Sequence, residues 1–232
     1  MNSLFSHLLD DFQNNQHFLP LSIPADFEEK IIERSQGSLA LKSVAYYLEG
    51  FGELRSVNIH SQKIDIINCF FYPLAKWHLP IYAMEFVTLG KKPIVGVLDL
   101  PCVSGKEHLA AQSLMHDLLA KYQFEPSNDY PIWYQECRST YDIFTRPESF
   151  MVFENLAQAH RDIINTLPQF TKQTFELTTT EHLQHQKNIR AYQEHHLINS
   201  PGLTLMNNMF SETWTNSFLK EWFFAESILE KE

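Results

Sequence analysis

Five extended apolar runs follow one another between residues 39 and 101 of the chain. They are LALKSVAYYLEG, GELRSVNIH, KIDIINCFFYP, PIYAMEFVTLG and KKPIVGVLDLP. Only a few residues connect each run to the next, which is too short for the crossover helix that parallel pairing requires. The pattern therefore predicts five strands that pair as an antiparallel meander.

Both faces of the predicted strands are apolar. In the third strand, Ile64 and Ile66 fall on one face, whereas Ile67 and Cys69 fall on the other. A sheet with one face in water would alternate more cleanly between apolar and polar residues. We therefore expect helices to cover both faces of the sheet.

Apolar residues at helical spacing supply the elements for these two layers. Ser3 is a candidate cap for a first helix, whose apolar stripe is Leu4, Phe5, Leu8, Leu9 and Phe12. A short charged helical turn is expected after the proline-containing stretch 18–27. The remaining predicted elements are helices over residues 106–122, 151–167, 179–196 and 211–224, with one further strand near 137–147. This order predicts an α+β fold, a three-layer α/β/α sandwich with a central antiparallel sheet, in a single domain over 1–232.

Composition narrows the classes of function. With 18 basic and 28 acidic residues the net charge is -10, which argues against a general nucleic-acid binder. Cys69, Cys102 and Cys137 are widely spaced without a C-x-x-C pair, so they indicate a reducing compartment rather than a disulfide framework or a cysteine zinc site. No basic leader opens the chain, and no run approaches the roughly 18 apolar residues of a membrane span. We expect a cytoplasmic protein that is neither exported nor embedded in a membrane.

The common cofactor and hydrolase signatures are missing from the sequence. It contains no G-x-G-x-x-G, G-x-x-x-x-G-K-[ST], H-E-x-x-H or G-x-S-x-G motif, and a Rossmann module does not fit a meander in a chain with 7 glycines. A metal site would use His182, His185, His195 and His196, but these share one polar, glutamine-rich segment instead of converging from several elements. The segment favours surface histidines.

Two polar residues interrupt otherwise apolar rows of the meander. Asn68 falls with the apolar side chains of its strand, and Glu85 shares a face with Ala83 and Val87 of the next strand. If the two strands pair as a hairpin, Asn68 and Glu85 lie near each other on one covered face. Burial would raise the pKa of Glu85, which would then hold a proton to donate near neutral pH. Periodicity leaves two other interpretations open: this face opens to solvent, or a basic side chain pairs with Glu85.

Four segments, taken in order, resemble one protein family. They are FLPLSIPADFEE near the start, KIDIINCFFYPLAKWHLPIYAMEFVTLGKKPIVGVLDLP in the meander, YDIFTRP in the later strand and MFSETWTNSFLKEWFF toward the end. Together they are similar to the ferredoxin-dependent bilin reductases, and the resemblance covers nearly the whole chain. It implies the same α/β/α sandwich, with an open-chain tetrapyrrole held between the sheet and the C-terminal helices.

The resemblance also implies a mechanism. Members of the family reduce biliverdin IXα with single electrons from reduced ferredoxin, each followed by a proton from a side chain, and they bind no metal or organic cofactor of their own. Glu85 occupies the position of the family's proton-donating aspartate, and Asn68 is implied to orient a lactam or a water. Ile66, Phe70 and Phe224 are implied to sandwich the flat pigment and exclude water. The family's role in phycobilin biosynthesis and a monomeric state are implied in the same way.

This sequence departs from the family pattern at its acids. Glu85 is one methylene longer than the usual aspartate, so its carboxyl reaches a different part of the pigment. Where many members carry a second aspartate before the last helix, this chain has Asn199 and Ser200, which the resemblance places beside the substrate. A single acid predicts a single two-electron reduction. Arg146 is a candidate partner for the pigment propionates, with a structural salt bridge as the alternative.

The residues that would bind ferredoxin can be interpreted in two ways. Ferredoxins are acidic, so docking requires a basic patch; Lys76, Lys91, Lys92 and Arg55 lie near strand ends beside the expected pocket, although solvated lysines that protect turns are an equal explanation.

Glu85 with the following LDLP is also similar to red chlorophyll catabolite reductase, which reduces another linear tetrapyrrole. A noncatalytic bilin carrier is the third interpretation. A spectral change on adding ferredoxin and its reductase distinguishes an enzyme from a carrier.

Overall fold

The computed structural model describes residues 3–35, 37–90, 92–125, 127 and 129–227. In this part of the chain one antiparallel sheet has the order β1-β3-β4-β5-β6-β7-β8, and β2 also pairs with β3. The strands are β1 (Phe18–Pro20), β2 (Glu29–Arg34), β3 (Gly37–Leu48), β4 (Gly52–His60), β5 (Ile64–Pro73), β6 (Tyr82–Leu89), β7 (Lys92–Asp99) and β8 (Ile143–Thr145). The meander predicted for the central strands is confirmed, because β3 to β7 pair in sequence order.

Helices cover both faces of this sheet. They are α1 (Ser6–Asp10), α2 (Ala25–Glu28), α3 (Leu109–Tyr122), α4 (Ile132–Gln135), α5 (Phe150–Phe170), α6 (Thr179–Asn199), α7 (Gly202–Met209) and α8 (Glu212–Ser217), which runs into a π-helical segment, Phe218–Phe223. One core packs α1, α3 and α5 against the face that carries Met84 and Phe86. The second core packs α6, α7 and the π-helical segment against the face that carries Ile66 and Phe70. The predicted α+β sandwich is thus confirmed.

Strand β2 corrects one expectation. The charged stretch after residue 27 was predicted to be a helical turn, but only α2 is helical and Glu29–Arg34 pairs with the first half of β3. Its side chains are mostly exposed, and Ile31 is 58% exposed. None of its side chains is fully buried, and only Ile32 packs against a core, so the strand lacks the clear apolar alternation that marks a strand in a sequence.

The first helix also differs in its start. Helix α1 begins at Ser6, and Phe5 occupies its N-cap position without a side-chain cap. The Ser3 hydroxyl instead accepts from the Phe5 N–H at 3.0 Å and donates to Asp65 Oδ1 at 2.9 Å. Ser3 therefore ties the N-terminal segment to β5, while the predicted apolar stripe is buried except for Leu4.

None of the helices in the described ranges combines the length and the apolar character that a bilayer crossing requires.

Close contact between α5 and β7 depends on Gly96. A Cβ atom at this position would overlap Leu156 Cδ1, and Leu156 is completely buried. We expect Gly96→Ala to lower the free energy of unfolding by about 1–3 kcal/mol, since the buried Leu156 side chain must move within a packed core to make room. Urea denaturation of the variant measures this loss.

The matched control is Gly202→Ala at the start of α7. There the nearest atom to a new Cβ is the flexible Ser200 hydroxyl at 3.2 Å, and alanine favours a helix. Equal stability losses in both variants would show that contact with Leu156 is not the cause.

Candidate active site

A cavity of about 310 Å³ lies between the sheet and the C-terminal helices. Strands β4 to β7 form its floor, and α6, α7 and the π-helical segment form its opposite wall. The lining is largely apolar, with a few polar side chains among branched and aromatic ones. This size and character are typical of pockets that hold organic ligands.

The floor of the cavity brings Asn68 and Glu85 together. The two residues are direct cross-strand partners in the β5–β6 pairing, and both side chains line the cavity. Their proximity on a covered face confirms the parity argument, because a direct pair in an antiparallel sheet points to the same side. Neither side chain is fully exposed.

Burial changes the proton affinity of Glu85. The surrounding protein disfavours the carboxylate and raises its pKa to about 7, although a hydrogen bond from the Asn68 side chain opposes the shift. The carboxyl is thus partly protonated at neutral pH and faces a ligand-sized space. One alternative left open by the sequence was that a basic side chain pairs with Glu85. No such partner is found among the described residues.

Replacement of Asn68 tests whether its hydrogen bond lowers the pKa of Glu85. We expect Asn68→Ala to raise the pKa of Glu85 above its value of about 7, because the amide that stabilises the carboxylate is lost. Carbon NMR of labelled glutamate side chains, followed against pH, measures this shift. Glu85→Gln assigns the resonance by removing it, and labelling only glutamate avoids Asp99, whose pKa burial also raises to about 7. A pKa of Glu85 that stays the same or falls would contradict the assigned hydrogen bond.

Aromatic rings close the cavity. Phe70 on β5 contacts Phe223 and Phe224 edge-to-face, with ring centroids 5.7 Å and 5.6 Å away. Phe224 directly follows the π-helical segment. Such segments often occur at functional sites. Ile66, Phe70 and Phe224 all line the cavity, so the structure brings these three predicted contact residues together.

The remaining predicted contact residues divide into two groups. Ser200 and Arg146 line the cavity. Arg146 is half exposed and its Nε donates to Asp129 Oδ2 at 2.8 Å, so it forms a surface ion pair while it lies at the cavity. Asn199 is not among the lining residues; it is exposed, and its side-chain amide donates to the His195 carbonyl of its own helix. A direct contact between Asn199 and a ligand has no support in this geometry.

The expectation of surface histidines on α6 is wrong for two of them. His185 and His196 are buried, and His196 lines the cavity. The spacing contained the signal: His185, Ile189, Tyr192 and His196 lie three or four residues apart and share the buried face of the helix. Within the described ranges no group of three or more His, Cys, Asp or Glu is placed to hold a metal ion.

Trp133 and Tyr134 are two further lining residues that the sequence analysis missed. They belong to the four-residue helix α4, which is too short for a periodic pattern. The Tyr134 hydroxyl donates to Asp142 Oδ2 at 3.0 Å, which fixes the ring against the sheet. Trp133 contacts the His196 ring edge-to-face at 5.5 Å.

The proposed basic patch is not formed as expected. Arg55 is 3% exposed and pairs with the buried Glu53, so it offers no charge to a partner. Lys91 lies outside the described residues. Lys92 is exposed, while the Lys76 ammonium lies over the Trp77 ring at 5.4 Å. These two lysines stay candidates for docking.

The sequence of this chain is similar to a family model and to named relatives. A family model described as ferredoxin-dependent bilin reductase matches residues 5–225. A 15,16-dihydrobiliverdin:ferredoxin oxidoreductase from Gloeobacter violaceus is 22% identical over 96% of this chain and 93% of its own length. A phycocyanobilin:ferredoxin oxidoreductase from Prochlorococcus marinus is 19% identical over 94% and 91% of the two chains.

The fold is also similar to a solved structure. Phytochromobilin synthase from tomato, in complex with biliverdin, superposes with a TM-score of 0.79 at 18% identity. The match covers 95% of this chain and 81% of the tomato chain. At this identity the likeness establishes the shared fold.

Proposed function

This chain belongs to the ferredoxin-dependent bilin reductase family and is a ferredoxin-dependent bilin oxidoreductase, and we propose that it reduces biliverdin IXα by two electrons, with Glu85 as a proton donor. The observation that carries the proposal is a partly protonated carboxyl in the floor of an apolar cavity. Ferredoxin and the pigment are its partners. A cytoplasmic monomer is part of the same proposal.

The chemistry follows from what the cavity residues can do. An electron delivered to a conjugated pigment makes it more basic, so a nearby acid can then protonate it. Glu85 provides such an acid because its pKa of about 7 keeps a fraction protonated at neutral pH. The adjacent Asn68 amide can hold a lactam or a water in place. The Phe70 and Phe224 rings, which contact each other edge-to-face, close one side of the cavity and exclude water from the pigment.

The lining supports a single two-electron reduction. Glu85 is the one carboxyl residue among those that line the cavity in the described part of the chain, and Ser200 stands where many members have a second aspartate. Arg146 at the cavity provides a cation for the pigment propionates, provided that its exposed ion pair with Asp129 opens.

Two pigments are supported as substrates by the names of relatives. Biliverdin is bound in the tomato structure, and 15,16-dihydrobiliverdin gives the Gloeobacter relative its name. We favour biliverdin IXα for this chain, and dihydrobiliverdin is the second candidate. Each pigment would occupy the same cavity.

The test is an anaerobic reaction with reduced ferredoxin, its reductase and either pigment, followed by chromatography of the products. We expect biliverdin IXα to be converted to one two-electron product. Conversion of dihydrobiliverdin alone would favour the second candidate. Binding spectra that stay static with both pigments after ferredoxin reduction would indicate a carrier and contradict the proposal.

A further inference from the structure

Reduction of one carbon–carbon double bond requires two protons, and the cavity lining contains a single carboxyl residue in the described ranges. A second source is therefore needed unless Glu85 is reprotonated while the pigment is bound. The wall opposite the sheet offers one. It contains His196, a residue that the proposed mechanism does not otherwise use.

His196 is paired with a thiol. Its Nε2 lies 3.6 Å from Cys137 Sγ, within hydrogen-bond distance for sulfur. Among the described residues, Nδ1 of the same ring has no hydrogen-bond partner. Tyr192 and Phe70 pack against the ring, with centroids 4.5 Å and 5.3 Å away, and fix its position in the wall.

Cys137 also reaches a second cavity. This cavity of about 670 Å³ lies between α6 and the segment after α4, and Cys137 is part of its lining. Its other lining residues include charged and polar side chains such as Glu136, Arg138 and His195. It is therefore a space that water can occupy. Cys137 and His196 together bridge this polar cavity and the apolar cavity that contains Glu85.

We propose that Cys137 and His196 form a proton relay, which carries a proton from the polar cavity to the reduced pigment in the apolar cavity. The inference rests on the proposed function and supplies its second proton. His196 Nδ1–H donates to the pigment after ferredoxin has delivered the second electron, and Nε2 takes the proton of the Cys137 thiol. Water in the polar cavity then reprotonates the sulfur, so the net proton comes from solvent. The ring is left as its Nε2–H tautomer and exchanges that proton for one on Nδ1 before the next turnover, and no electrons pass through either side chain.

The environment of the pair suits a relay between neutral groups. Burial lowers the pKa of His196 to about 3 and raises the pKa of Cys137 to about 12. The resting pair is thus a neutral imidazole and a thiol. The thiol also has the Tyr134 carbonyl at 3.5 Å and the Trp133 carbonyl at 3.8 Å as acceptors. When the thiol donates to Nε2 instead, the imidazole carries its own proton on Nδ1.

Substitutions at Cys137 test the relay. After ferredoxin has delivered two electrons to the bound pigment, we expect the singly protonated intermediate in Cys137→Ala to decay to product about tenfold more slowly than in the unmodified protein, with unchanged pigment affinity. Cys137→Ser retains a proton-bearing group and is expected to recover most of the rate. The matched control is Cys102→Ala, because Cys102 lines the same polar cavity but contacts His78 and Ser104 instead.

The outcomes separate the relay from packing effects and from the proposed function. An unchanged decay rate in Cys137→Ala, or equal slowing in Cys137→Ala and Cys137→Ser, would overturn the relay while biliverdin reduction stands. Nitrogen NMR of the histidine rings gives a readout without turnover. We expect His196 as the Nδ1–H tautomer, and the Nε2–H tautomer would also overturn the relay. Failure of the unmodified protein to reduce either pigment would overturn the proposed function, and the relay with it.

Discussion

Glu85→Gln is expected to slow pigment reduction by at least about 100-fold while leaving pigment affinity within about twofold of the unmodified protein. Glutamine preserves the size of the side chain and its place beside Asn68, but it has no proton to give at neutral pH. The pigment should then accumulate as a one-electron radical. Anaerobic absorption and electron paramagnetic resonance spectra, recorded after ferredoxin reduction, measure this accumulation.

A second variant and the pH dependence of the rate test the same role of Glu85. Glu85→Asp retains an acid with a shorter reach, so we expect a faster reaction than in Glu85→Gln. In the unmodified protein the rate should fall as pH rises through about 7, because the protonated carboxyl is the donor and its pKa is about 7. A Glu85→Gln variant that forms product at the original rate would remove Glu85 from the mechanism.

The proximity of Asn68 and Glu85 could be predicted from the sequence, because the face on which a strand residue lies depends only on its neighbours in the chain. Short connections required antiparallel neighbours, and the alternation placed Asn68 and Glu85 on one face. Whether that face opens to water depends on the layer above it, which comes from residues more than 100 positions later in the chain. Strand pattern alone therefore left the burial of Glu85 open.

The errors have a common physical cause. His196 was judged by the polar composition of its segment, although its spacing from Ile189 and Tyr192 placed it on the buried face. Arg55 was assigned to a basic docking patch because it lies near a strand end in the sequence. Backbone carbonyls of the C-terminal segment instead accept hydrogen bonds from the buried Arg55 guanidinium, and a sequence pattern does not show which distant polar groups will meet.

The buried Arg55 cluster holds the wall of the active site in place. The guanidinium donates to Glu53 Oε2 at 2.6 Å and to the carbonyls of Ala225 at 2.9 Å and Glu226 at 3.2 Å, and it also bonds the Trp222 carbonyl. The Ser227 hydroxyl donates to Glu53 Oε1 at 2.6 Å. These bonds anchor the end of the π-helical segment and its neighbour Phe224.

Arg55→Met should consequently lower the free energy of unfolding by about 3–5 kcal/mol, the range for breaking a buried ion pair on one side. Glu53 would keep its buried charge without its cationic partner, and the C-terminal carbonyls would lose their donors. Urea denaturation gives the stability, and fluorescence quenching by biliverdin gives the affinity. We expect weaker pigment binding as well, because Phe224 loses its anchor.

A double variant separates the loss of the Glu53–Arg55 ion pair from the loss of the guanidinium that anchors the C-terminal segment. Glu53→Gln together with Arg55→Met removes both charges, so its stability loss should be smaller than that of Arg55→Met alone. Pigment affinity should stay reduced, since the carbonyls of the C-terminal segment still lack the guanidinium. Lys121→Met, which breaks the exposed pair with Asp162, is the control and should change neither quantity appreciably. Restoration of pigment affinity in the double variant would show that the Glu53 carboxylate left without Arg55, rather than the missing anchor, disturbs the cavity wall.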